Sequence, residues 1–166
     1  MSDAEKLAAW IAEAQANVRR VGEKFTEPDD DWISVAFLEH DGSVSIVGLH
    51  GEVFSSHYSK DRLAEWLRDA MNNLQAERYA VLFNTHGLSN PSAEDWKEYH
   101  NGKRISEFPN AYEMLMLIAG DAEQEIGYVA KIVRDGVNPP TLEAWEQMPK
   151  VEGRFANLNE RMAALT

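Results

Sequence analysis

Between a run of apolar residues and a candidate helix, the chain reads Asn84-Thr85-His86-Gly87-Leu88-Ser89-Asn90-Pro91-Ser92-Ala93-Glu94-Asp95. Imidazole and carboxylate are the side chains that bind a divalent metal or pass a proton near neutral pH. A nearby hydroxyl can orient either one. His86, Ser92 and Asp95 are therefore the first residues to weigh for chemistry. The spacing from Ser92 to Asp95 equally suits a helix N-cap, with the Ser oxygen taking an amide hydrogen three residues on. The other histidines, His40, His50, His57 and His100, form no His-x-x-x-His pair that would put two ligands on one helical face. Each of them reads as a lone polar residue. Glu52 lies between His50 and His57 and supplies a carboxylate to His86 if a sheet brings the two together.

Other chemistries find no support in the sequence. There is no Gly-x-Ser-x-Gly elbow, no Gly-x-x-x-x-Gly-Lys phosphate loop and no dinucleotide fingerprint. Cysteine is absent, which excludes thiolate metal sites, Cys nucleophiles and a disulfide framework. Paired carboxylates carry no information in a chain with 28 acids. No catalytic residue is assigned.

The stretch from Asn84 to Asp95 partially resembles the zinc motif of the JAB/MPN metal-dependent hydrolases, in the variety found in RadC-like proteins. In that motif two His flank one residue, a Pro follows, and a Ser precedes an Asp by three. The upstream order of hairpin, helix and strand is similar too. The resemblance spans residues 32 to 96. It implies a zinc-dependent hydrolase with His86 and Asp95 as metal ligands and Glu52 or Glu39 as the base. Asn84 stands where the family has its first His, Gly87 replaces the Pro, and the interval from His86 to Asp95 is shorter than the family's. An amide is a poor zinc ligand beside imidazole, so the departure at Asn84 bears directly on affinity for metal.

The charge balance points elsewhere. Sixteen basic residues against 28 acidic ones give a net charge of -12. Phosphate neutralisation needs clustered Lys and Arg, and the only adjacent basic pairs are Arg19-Arg20 and Lys103-Arg104. Direct nucleic-acid binding and attraction to an anionic membrane are both disfavoured. A basic protein surface is favoured, because opposite charge steers association. Trp96 and Tyr99 lie close together on a short predicted helix with Glu94, Asp95 and Glu98 nearby. These five residues are the candidate partner-binding patch: an aromatic anchor with an acidic rim. The expected function is a non-enzymatic acidic binding domain of the immunity, inhibitor, DNA-mimic or accessory-factor type. The zinc hydrolase is the alternative, and zinc its cofactor. The start, Met1-Ser2-Asp3-Ala4-Glu5-Lys6, lacks the basic and apolar regions of a signal peptide, so a cytoplasmic protein is expected.

The elements that must position these residues follow from periodicity. The fold class expected is α+β: a small mixed sheet of about five strands, with helices packed on it and at both termini. One domain is expected over residues 1–166, with an N-terminal helix at 3–21, a core at about 32–135 and a helical segment at about 141–164. Leu7, Trp10, Ile11, Ala14, Val18 and Val21 recur at helical steps, with Ser2 and Glu5 as a capping box. Ile33, Val35 and Phe37, then Val44 and Ile46, alternate around Asp41-Gly42, a hairpin signature. Leu63, Trp66, Leu67, Ala70, Met71 and Leu74 form the strongest helical stripe. Residues 79–84 read as a buried strand. Segments 111–119 and 125–134 read as a second hairpin around Gly120-Asp121, with helices as the alternative. Helices are predicted for the segment carrying Leu142, Trp145 and Met148 and for residues 154–164.

Overall fold

Period-two alternation divides the sheet residues between two apolar cores. In the computed structural model, which describes residues 1–163, Val35, Ala80, Leu82, Leu115, Leu117 and Ala119 join one buried cluster. Their chain neighbours Ala36, Leu38, Tyr79, Val81, Phe83 and Ile118 join the other. Successive strand residues point to opposite faces, so a sheet covered on both sides needs apolar residues at nearly every position.

The strands are β1 (Ser34–His40), β2 (Ser43–Leu49), β3 (Arg78–Leu88), β4 (Ala111–Gly120), β5 (Glu125–Val133), β6 (Thr141–Leu142) and β7 (Glu146–Gln147). They lie in the order β2-β1-β3-β4-β5-β6, with β7 also on β5. Every pairing among the described residues is antiparallel. The molecule is thus α+β as expected, but the sheet is antiparallel rather than mixed and has seven strands rather than about five. At the β1–β2 hairpin, Asp41 (φ 50°) and Gly42 (φ 72°) both adopt the left-handed region, as a two-residue type I′ turn requires.

Helix α1 (Asp3–Glu23) lays Leu7, Ile11, Ala14 and Val18 on the first face. Ser2 caps it by accepting from the Glu5 amide at 3.1 Å. Trp32 pins its far end, donating from Nε1 to the Val18 carbonyl at 2.9 Å. Helix α2 (His57–Asn73) buries Leu63, Leu67 and Met71 on the opposite face. Trp66, predicted on the same stripe, is 48 % exposed. The buried arc is centred between Leu67 and Met71, about 120 degrees round the helix from Trp66. Helix α3 (Ala93–His100) buries none of its residues and stands off the sheet.

The C-terminal third departs from expectation. No helix forms over 141–148. The outer edge of β5 takes this segment instead, through β6, β7 and bonds from the Glu143 amide to Lys131 O and the Met148 amide to Gly127 O. An isolated helix this short is marginal, whereas open sheet edge supplies backbone partners at once. Residues 154–162 form successive turns rather than a helix, because Asn157 adopts φ 56° and breaks the path. Residue 164, the predicted end of that helix, lies outside the described residues. Leu158 is fully buried against the α2 side, and Glu125 fixes it by accepting from the Asn157 and Leu158 amides at 2.7 and 3.0 Å.

Candidate functional site

Three places carry the residues of interest. The first is the end of β3. Asn84 donates from Nδ2 to the Trp32 carbonyl at 2.9 Å, and its amide donates to Ser34 Oγ at 3.0 Å. The residue at the family's first ligand position therefore holds the entry to β1 in place. His86 pairs with Glu113 across the β3–β4 ladder. The Glu113 carboxylate accepts from Arg134 Nε at 2.8 Å, and the same guanidinium reaches Asp31 at 2.9 Å and the Pro28 and Asp30 carbonyls. That network closes the acidic connection 27–31 onto the sheet. Asp95 completes a capping box instead: its carboxylate accepts from the Ser92 amide at 2.9 Å, and Ser92 Oγ accepts from the Asp95 amide at 3.1 Å. A side chain at Gly87 would meet the Tyr112 ring at 2.7 Å, so the glycine there answers a close approach.

Neither base candidate is joined to this place. Glu39 forms a two-pronged ion pair with Arg78, both bonds 2.9 Å, and the guanidinium holds its carboxyl below the usual glutamate range. Glu52 is exposed in the single turn Gly51–Phe54. Among the described residues, no three His, Asp or Glu converge as a metal set.

The second place is α3. Trp96 and Tyr99 do form a pair, edge to face with ring centroids 6.0 Å apart, and Trp96 is 43 % exposed. Glu94 and Glu98 lie on the opposite side of the helix, since each residue advances about a hundred degrees. Glu98 pairs with Lys103 at 3.1 Å, and Asp95 is held in the cap. The residues that do adjoin the rings come from elsewhere. His57 packs edge-on to Tyr99 at 6.3 Å, and Arg154 binds His57 through its carbonyl and its ring nitrogen.

The third place is the free edge of the sheet, which the sequence reading did not single out. In a two-residue hairpin the residues flanking the turn form a hydrogen-bonded pair, and such pairs then alternate with unbonded ones. His40 and Ser43 flank this turn, so positions 43, 45, 47 and 49 bond inward to β1. The N–H and C=O groups of Val44, Ile46 and Gly48 point away from it. No described strand lies on that side of β2. The side chains of Val44 and Ile46 share the face of Phe37 and Val35, with Ile46 at the end of the row Ile46–Phe37–Ala80–Ala119–Ile126. Val44 is 48 % exposed and Ile46 67 %; Ile33, 72 % exposed, lies at the far end of the hairpin, just before the Ser34–Leu49 pair. A shallow hollow opens at that far end, between Ile33, Gly48, His50 and Phe54.

Natural edge strands are usually blunted by Lys, Pro or a bulge. The β2 sequence Ser-Val-Ser-Ile-Val-Gly-Leu carries neither Lys nor Pro, and its register with β1 runs unbroken. That uncharged run was the available signal, but only the topology shows that it lies at an edge. No protein-family model matches this chain, and no curated protein and no solved structure matches it.

Proposed function

We propose that this chain is a binding domain that receives an extended, basic segment of a partner protein as an added strand on β2. The observation that carries this reading is the free edge itself. Val44, Ile46 and Gly48 offer backbone donors and acceptors that no described residue pairs, beside the exposed side chains of Val44 and Ile46. Strand addition uses the backbone groups for affinity and alternate side chains for specificity.

The charge selects among occupants. At a net charge of -12, two copies of the chain repel one another, while a lysine-bearing segment is attracted. On this reading the protein acts by occupancy, as inhibitors, immunity proteins and accessory factors do. No observation adds weight to the zinc hydrolase, since Asn84 and Asp95 are engaged in structural hydrogen bonds.

Calorimetric titration with two synthetic heptapeptides tests the proposal, one alternating valine with lysine and one alternating valine with glutamate. The lysine peptide is expected to bind, more weakly as salt rises, and the glutamate peptide to give no heat. Equal behaviour of the two peptides, or no binding by either, overturns the proposal. So does a dimer in sedimentation that is lost when Ile46 is changed to Lys, which assigns the edge to a second copy.

A further inference from the structure

We propose that the hollow at the Gly48 end of β2 is a specificity pocket for an aromatic side chain of the added strand. The pocket presupposes the strand addition proposed above and names a residue that the basic segment carries. The glycines point to it. Of the ten in the chain, four lie where a Cβ would come within 3.0 Å of a neighbouring atom, and four adopt a left-handed φ. Gly48 and Gly51 have neither reason, and both line this hollow. A Cβ at either would meet no atom within 4 Å. Glycine weakens a strand, and inside one it often marks the close approach of a ligand or another backbone. No part of the described chain makes that approach at Gly48, which leaves the space to an incoming group.

Register decides which group arrives. Gly48 opposes Val35, which is buried on the α1 side. The Gly48 N–H and C=O point outward, so an added strand sets one residue level with it. Residues level with one another project from the same face, and that side chain stands where Gly48 has none. Asn84, across the hollow, shares this face, because it opposes Leu115 in the β3–β4 ladder. Two of the walls are aromatic and already fixed. Trp32 is held by its bond to the Val18 carbonyl and by Phe25, edge to face with centroids 4.7 Å apart. Phe54 packs edge to face on Phe83 at 5.9 Å. The hollow measures about 520 Å³, so a valine level with Gly48 leaves most of it empty. A ring fills more of it and adds edge contacts to the walls. No Asp, Glu, Lys or Arg lines the hollow, so a lysine of the same segment finds no counter-charge there. The lysines of an alternating strand project from the opposite face.

Three peptides test the pocket: the valine–lysine heptapeptide and two relatives with its first or its last valine replaced by tryptophan, since an edge accepts a strand in either direction. Affinities are read by calorimetry, and the Ile33 methyl and His50 ring signals by NMR. One tryptophan peptide is expected to bind about tenfold tighter than the parent, the scale of an added aromatic contact. It is also expected to displace the Ile33 and His50 signals through its ring current, which the parent does not. Gly48→Val keeps the outward amide and places a side chain in the open space. It is expected to bind all three peptides alike. The ring-current shifts are read on the unchanged chain and do not depend on that variant. Binding of the parent with no gain from either tryptophan peptide overturns the pocket and leaves strand addition standing. A gain without shifts at Ile33 and His50, or a gain kept in folded Gly48→Val, overturns it in the same way. No binding by any of the three overturns the pocket together with strand addition.

Discussion

Changing Ile46 to Pro separates strand addition from contact with an apolar patch. Proline removes the one amide hydrogen that Ile46 directs away from β1, and it leaves the inward bonds of Ser45 and Val47 in place. An edge strand tolerates proline when its missing N–H faces solvent. Ile46 is 67 % exposed, so the fold should lose no more than about 1 kcal/mol. Binding should lose more. One backbone hydrogen bond is worth about 1 kcal/mol. Burying the exposed two-thirds of an isoleucine side chain is worth about 1–2 kcal/mol. Together these predict a loss of about 2–3 kcal/mol, or about 30- to 150-fold in affinity for the valine–lysine peptide. Ile46→Val removes one carbon and keeps the amide, so about a twofold loss is expected. Calorimetry gives the affinities and urea unfolding checks the fold. Equal effects of Pro and Val, with both variants folded, would refute the reasoning, because the backbone would then carry nothing.

Other expectations follow from the ion pairs and caps. The Glu39 carboxyl is held below its ordinary value of 4.5 by Arg78, so its contribution is full above that pH and is lost as pH falls through the folded value. Stability of the unchanged chain should fall more steeply below pH 4.5 than that of Glu39→Gln, as read from urea midpoints across pH. Asn84→His restores the first ligand of the hydrolase motif but strips the Trp32 carbonyl of its partner, and should cost about 1–3 kcal/mol. A raised midpoint for this variant in the presence of zinc would contradict the structural role given to Asn84. Ser92→Ala should cost about 1 kcal/mol through loss of the cap, visible in thermal unfolding, and leave the peptide affinity unchanged.

Local rules were enough where the chain itself imposes the geometry. Asp41 and Gly42 force a tight turn, and the alternation on either side of it fixes which residues face which core. The Ile, Tyr and Val residues from Ile126 to Val133 favoured strand, and the segment is one: Ile126, Tyr128, Ala130 and Ile132 pack on the α1 side, while Lys131 and Val133 on the other face are exposed. Where a remote partner decides, the sequence was mute. Residues 141–148 carry helix-like spacing, but the open edge of β5 captures them. Asn157 in a left-handed conformation ends a helix that its neighbours would otherwise permit. The aromatic patch shows both limits at once. Spacing predicted that Trp96 and Tyr99 meet, and they do. Nearness in sequence also suggested an acidic rim, but the helix turns Glu94 and Glu98 away, and His57 arrives instead from α2 with Arg154 bonded to it.

The central claim is that the outer edge of β2 pairs with an added strand, and amide hydrogen exchange of β2 tests it most directly. The exchange is read residue by residue by NMR, with and without the valine–lysine heptapeptide at low salt. The amides of Val44, Ile46 and Gly48 should slow on addition of the peptide, while those of Ser45 and Val47, already bonded to β1, should change little. Unchanged exchange at Val44, Ile46 and Gly48, under conditions where calorimetry shows the peptide bound, would contradict the account.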